Sequence, residues 1–184
     1  MTSPPPDEDP DGRPTARMGG TMIVAAWVLV LGLLTLAFSG WLESERNPNR
    51  QLRTQMDPGG GRQVALERNR YGHYVATGRV NGQAVEFLLD TGASDVSVPG
   101  ALADELGLAR GARRTYTTAG GPVVAYATEL ERVELGGIVL RDVRASINPR
   151  FESDAILLGM SFLKHLELTQ RGTTLTLRQP APAP

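Results

Sequence analysis

Phe87-Leu88-Leu89-Asp90-Thr91-Gly92-Ala93-Ser94 is the stretch on which the reading of this chain turns. An apolar run leads straight into a carboxylate, then a hydroxyl, then a glycine. A carboxylate at the buried end of a strand is expensive unless hydrogen bonds hold it. Thr91 supplies a hydroxyl, Gly92 lets the backbone pass close beneath, and the N–H groups of the loop can turn toward the charge. Taken alone, Asp-Thr-Gly is equally a strand-to-turn punctuation, since Asp and Gly both favour turns. The surroundings decide between the two.

Upstream, two β-like runs at residues 71–80 and 83–89 flank Asn81-Gly82. Asn-Gly between such runs is the strongest short hairpin signal, because both residues tolerate positive φ. Downstream, residues 101–106 read as a short helix ending at Gly107. Residues 115–127 read as two strands around Ala119-Gly120-Gly121-Pro122, and residues 128–135 and 138–147 as a hairpin around Gly136-Gly137. Residues 161–165 suggest a helical turn. Residues 166–169 and 173–177 make a last hairpin around Arg171-Gly172. Short strands at regular spacing with little helix predict an all-β barrel or sandwich.

Within this frame, Leu88-Leu89-Asp90-Thr91-Gly92-Ala93-Ser94 resembles the active-site loop of the single-domain, retropepsin-like aspartic proteases. Ile156-Leu157-Leu158-Gly159 resembles the family's second hallmark, an apolar pair and a glycine before the C-terminal helical turn. Residues 117–124 lie where the family has its flap. The resemblance covers residues 67–178. It implies a single-lobed, closed β-barrel of the acid protease fold, with one or two short helices. It implies Asp90 as the catalytic carboxylate. Thr91, Gly92, Ala93, Ser94, Leu158 and Gly159 would support the loop, and Ala119, Gly120 and Gly121 would form the flap over a peptide.

The chemistry needs two carboxylates that share one proton, because like charges a few ångströms apart cannot both ionise cheaply. The pair activates water, and its protonated oxygen stabilises the oxyanion and protonates the leaving amine. No second Asp-Thr-Gly or Asp-Ser-Gly is present; Asp95, Asp104, Asp142 and Asp154 lack the frame. A two-fold homodimer would bring Asp90 to its own copy. By resemblance, Thr91 would reach across that axis. The expected activity is an aspartic endopeptidase. The alternative is a non-catalytic dimeric peptide-binding module on the same fold.

Other chemistries fare poorly. The chain has no cysteine, which removes disulfides, thiolate metal sites and a cysteine nucleophile. Ser161 lacks the glycine frame of a nucleophile elbow. His73 and His165 lack His-Glu-x-x-His spacing and read as a strand and a helix-end residue. No metal or organic cofactor is implied. Tyr116 and Tyr126 flank the flap, where strand packing and a cleft wall explain them equally well. A net charge of -1 gives no general attraction to nucleic acid.

The N-terminal third reads differently. Residues 1–20 are rich in Pro, Asp and Gly and are expected to be disordered. Residues 21–41 carry no charge and reach the roughly 20 residues a helix needs to cross a bilayer. A cleaved signal peptide is the competing reading, since Ala37-Phe38-Ser39 resembles a cleavage site. Residues 42–66 read as a flexible linker, 67–178 as the protease domain, and 179–184 as a second disordered tail. Flanking arginines do not fix the orientation: Arg13 and Arg17 precede the helix, and Arg46, Arg50 and Arg53 follow it. Resemblance to anchored bacterial proteins favours an extracytoplasmic, periplasmic protease domain.

Overall fold

A computed structural model describes residues 15–118 and 121–181. It divides into two units, Met1–Glu43 and Ser44–Pro184. The first is dominated by α1 (Thr15–Arg46), whose segment Met22–Arg46 contains an 18-residue window of mean hydropathy 2.4 in which no residue is buried. The hydroxyls of Thr35 and Ser39 donate back to the carbonyls of Leu31 and Leu36, so these two polar side chains within the apolar run are satisfied inside the helix. A helix apolar all round and of this length meets the requirement for crossing a bilayer.

The second unit is built from two sheets. β1 (Thr54–Met56), β2 (Arg62–Glu67), β10 (Glu167–Arg171) and β11 (Thr174–Gln179) form one, in the order β1-β2-β11-β10. The other contains β3 (Val75–Val80), β4 (Gln83–Leu89), β5 (Val96–Pro99), β6 (Arg113–Thr118), β7 (Gly121–Leu135), β8 (Ile138–Asn148) and β9 (Ala155–Leu158). Its order is β3-β4-β9-β5-β8-β7-β6, and a further β3–β7 pairing at Val80↔Val133 closes it on itself. The expected all-β closed barrel is therefore present. Its two short helices are α2 (Gly100–Glu105) and α3 (Met160–Leu163). The core is one apolar cluster, with Phe87, Leu130, Ile156, Leu158 and Phe162 fully buried.

Local chemistry explains the register. Asn81 (φ 50°) and Gly82 (φ 83°) adopt the left-handed turn that lets Val80 pair with Gln83. Alternation in β2 sends Val64 and Leu66 into the core while Ala65 and Glu67 face outward. β9 is a run of four apolar residues, as a strand flanked on both sides requires. It lies parallel to β4 and touches antiparallel β5 at Ser97↔Leu157.

Several boundaries differ from the sequence expectations. The strand anticipated from residue 71 begins only at Val75, because the Asn69 side chain accepts from the N–H groups of Tyr71 and His73 and holds a turn there. His73 thus precedes the strand. The second strand anticipated within residues 115–127 and the strand anticipated at 128–135 are one continuous β7. Helix α1 starts earlier and ends later than 21–41. Gln179 belongs to β11 rather than to a tail.

The largest correction concerns residues 42–66, expected as a linker. Residues up to Arg46 are helical, and from Asn47 onward the segment is integral to the β unit. Asn49 is buried; its side chain accepts from Glu67 N–H and donates to the carbonyls of Glu67 and Val75. Asn47 donates to Thr77 Oγ1 and Glu86 Oε1. Asp57 pairs with Arg178, and β2 lies against β11 along its whole length. Side-chain hydrogen bonds to distant strands order a stretch whose own composition is that of a loop.

Candidate active site

β4 ends at Leu89, and Asp90 is the first residue beyond it. The Asp90 N–H donates to Leu158 O at 3.2 Å, so β9 fixes the start of the loop. The chain then turns: Ala93 N–H donates to Asp90 O, and Gly92 N–H donates to the Asp90 carboxylate at 2.8 Å. Asp90 is half-buried, whereas Thr91, Gly92 and Ser94 are exposed. Among the described residues the carboxylate takes one backbone hydrogen bond, which leaves acceptor capacity on its oxygens.

The second hallmark lies directly beneath. Leu158 is buried and pairs with Leu89 across the parallel β4–β9 ladder. Gly159 precedes α3 and is pressed against the loop. A Cβ there would stand 2.2 Å from Asp95 O and 2.7 Å from Ala93 O, distances that only glycine permits. This contact lets the first N–H groups of α3 cap the loop: Met160 donates to Ala93 O at 2.8 Å and Ser161 to Ser94 O at 2.9 Å.

Ser161, a poor nucleophile candidate by sequence, has a different task. Its buried hydroxyl accepts from Val96 N–H at 2.9 Å and donates to Arg144 O at 2.7 Å, joining the loop exit to β8. His165 is exposed just past α3 and takes no part.

A cavity of about 580 Å³ opens over the loop. Asp90, Gly92, Ala93 and Ser94 line its floor, together with Asp95; Tyr116, Thr117, Val123 and Ala125 line it from the β6–β7 hairpin. That hairpin occupies the place expected for the flap, with Thr118 paired to Gly121 (φ 101°). The tip residues Ala119 and Gly120 lie outside the described residues. Among the described residues, no group of three or more His, Cys, Asp or Glu side chains is placed to hold a metal ion.

Asp95 is the residue sequence reasoning passed over. Its side chain is only 7% exposed. Oδ1 accepts from Arg144 Nε at 2.7 Å, and Oδ2 accepts from the Tyr116 hydroxyl at 3.2 Å. Burial, and then the Asp95 charge, push the Tyr116 hydroxyl above its ordinary pKa. No local motif announces this trio, whose members come from the loop, β6 and β8.

Comparison with known proteins agrees with this geometry. Residues 76–165 match the family described as "gag-polyprotein putative aspartyl protease". A Sinorhizobium protein described as "Uncharacterized protein in cobV 5'region" is 31% identical over 165 residues, which span 84% of this chain and 71% of that protein. The crystal structure of a retropepsin-like aspartic protease from Rickettsia conorii superposes with a TM-score of 0.56 at 28% identity, covering 71% of this chain and 97% of that one. Strand order, the glycine-cushioned Asp-Thr-Gly loop and these likenesses lead to one conclusion: the chain belongs to the retropepsin-like aspartic proteases.

Proposed function

We propose that this chain is an aspartic endopeptidase that acts as a homodimer, with Asp90 of each copy contributing one carboxylate to a shared catalytic pair. The observation that carries the reading is a half-buried Asp90 on a clamped Asp-Thr-Gly loop, at the floor of a cavity roofed by a hairpin. One carboxylate cannot both hold and release the proton that water attack demands; two that share a proton can. Thr91 is exposed beside Asp90, where a second loop can approach. Leu158 and Gly159 hold the loop from beneath, and the β6–β7 hairpin closes over an extended peptide gripped mainly through its backbone. The required chemistry calls for no cofactor.

The outer edge of β10 supports the dimer. β10 ends its sheet, all five of its residues are exposed, and it carries neither proline nor lysine to discourage pairing. Antiparallel pairing of β10 with its own copy about Thr169 would set Glu167 against Arg171 of the second copy, twice over. Because the chain has no cysteine, Thr169→Cys is a clean reporter. In detergent, the full chain carrying that substitution should form a disulfide-linked dimer on oxidation, and Thr54→Cys on the opposite edge strand should not.

Met22–Arg46 is proposed as a membrane anchor, with the β unit outside the cytoplasm. Digestion of the β unit by protease added to intact cells tests the side. The decisive experiment for activity is incubation of the full chain with a peptide library, beside its Asp90→Asn form. Cleavage by the parent and none by the variant upholds the reading. A dimer that binds peptides without cutting them would instead make it a recognition module.

A further inference from the structure

The flap hairpin is weakly supported by backbone. β7 pairs with β8 only from Tyr126 onward, at Tyr126↔Ile147. Its first part, residues 121–125, pairs with β6 alone, and β6 is the last strand of the sheet. The two arms therefore hold each other and extend past the rest of the barrel. A two-stranded ribbon of this kind is marginal by itself.

A polar side chain of β6 ties it to the loop below. Tyr116 lies in the middle of β6, paired with Val123, and its hydroxyl donates to Asp95 Oδ2 at 3.2 Å. Asp95 follows directly on the Asp90–Ser94 loop and is clamped from three directions. Its other oxygen takes Arg144 of β8, its carbonyl abuts Gly159, and the next residue, Val96, donates to Ser161. The acceptor is therefore held by the barrel, and the donor sits on the arm that β6 and the start of β7 form by themselves.

The geometry points to a latch: Asp95, fixed by Arg144, takes the Tyr116 hydroxyl and so sets the outer flap strand over the Asp90 cavity. Tyr116 and Asp95 both line that cavity, so a bound peptide lies against the latch itself. The choice of groups suits a fastening that opens. A buried apolar contact would hold the hairpin shut at the cost of exposing hydrocarbon whenever it lifted. A single directional bond between a hydroxyl and a carboxylate releases cleanly, and Arg144 keeps the carboxylate compensated while it is open. Tyr116 and Asp95 are positioning residues here. The catalytic consequence rests on the peptidase reading; the mechanical one does not.

Hydrogen–deuterium exchange of the full chain in detergent tests this, with Tyr116→Phe as the variant because it removes only the hydroxyl. The expected result is roughly tenfold faster exchange of β6 amides, the scale of one hydrogen bond to a charged group. Amides of β8 and β9 should keep the parent's rates. On any library peptide that the parent cuts, KM should rise while kcat is retained, since loosened hold without altered chemistry raises KM alone. Asp95→Asn, whose amide oxygen still accepts the hydroxyl, should loosen β6 less. Unchanged β6 exchange in Tyr116→Phe would overturn the latch. So would a speed-up shared by every strand, which marks a merely structural contact. If β6 alone responds but no peptide is ever cut, the latch stands and the peptidase reading falls. If peptides are cut and β6 does not respond, the reverse holds.

Discussion

Asp90 and Asp95 stand five positions apart on one loop and live in opposite circumstances. Asp90 is half-exposed, faces the cavity and takes a single backbone N–H, from Gly92. Asp95 is almost wholly buried and both its oxygens are engaged, one by Arg144 and one by Tyr116. On the reading proposed above, the same functional group would serve as reagent at one site and as fastening at the other. What separates them is hydrogen-bond saturation. A carboxylate with unused acceptor capacity can take a new hydrogen-bond partner, and one with both oxygens engaged gives up existing structure to do so.

The sharpest way to break the contrast is Asp90→Asn. Proton transfer by a positioned side chain is worth about 10²–10⁴-fold in rate. Peptidase turnover should fall by at least that much, while thermal melting should stay where it was, because an amide oxygen still accepts from Gly92. Gly159→Ala attacks both carboxylates together. A methyl group 2.2 Å from Asp95 O forces the loop away from α3. Overpacking of this kind costs about 3 kcal/mol, readable as a lower denaturant midpoint, and activity should vanish with it.

Ser161→Ala comes next and tests only the fastened side. It strands the buried Val96 N–H and the Arg144 carbonyl, at about 2 kcal/mol. Asp95→Asn should cost less, about 1 kcal/mol in the same unfolding assay, since Arg144 is mostly exposed and solvent screens the pair.

The smallest effect concerns a third carboxylate, Asp57, far from the cavity in sequence and partner. The hydrogen bond from Arg178, then the N–H of Gly61, hold its pKa below the ordinary value. Its contribution to stability is therefore complete above the unfolded aspartate value of about 3.9 and fades as pH falls through the lower folded value. Asp57→Asn should flatten that part of the acid-unfolding curve and leave the neutral limb of its pH dependence unchanged. A response of the cleavage rate to this substitution would contradict the division of labour drawn here.

Elements built by local rules were legible from sequence. Asn81-Gly82, Gly136-Gly137 and the turn after Arg171 each put a residue of positive φ between two β-like runs, and each is a hairpin. The turn after β4 was legible because its residues, Asp90 to Gly92, are consecutive. Residues 47–66 were not. Their order comes from Asn47 and Asn49 bonding to residues 18 to 39 positions away, and from β2 meeting β11 more than a hundred residues later. Asp95 was hidden for the same reason. Tyr116 and Arg144 reach it from strands that only the closed barrel brings near. Sequence patterns report neighbours along the chain, whereas saturation of a buried group is settled by neighbours in space.

The parallel ladder between β4 and β9 has a bearing on when activity can first arise during biosynthesis. Asp90 leaves the ribosome long before Leu158, to which its N–H is bonded, and before the α3 amides that cap its loop. Contacts of such long sequence separation form late, after slow closure of the intervening chain. A nascent or prematurely terminated product would carry the Asp-Thr-Gly signature without the β9 and α3 contacts that hold its loop.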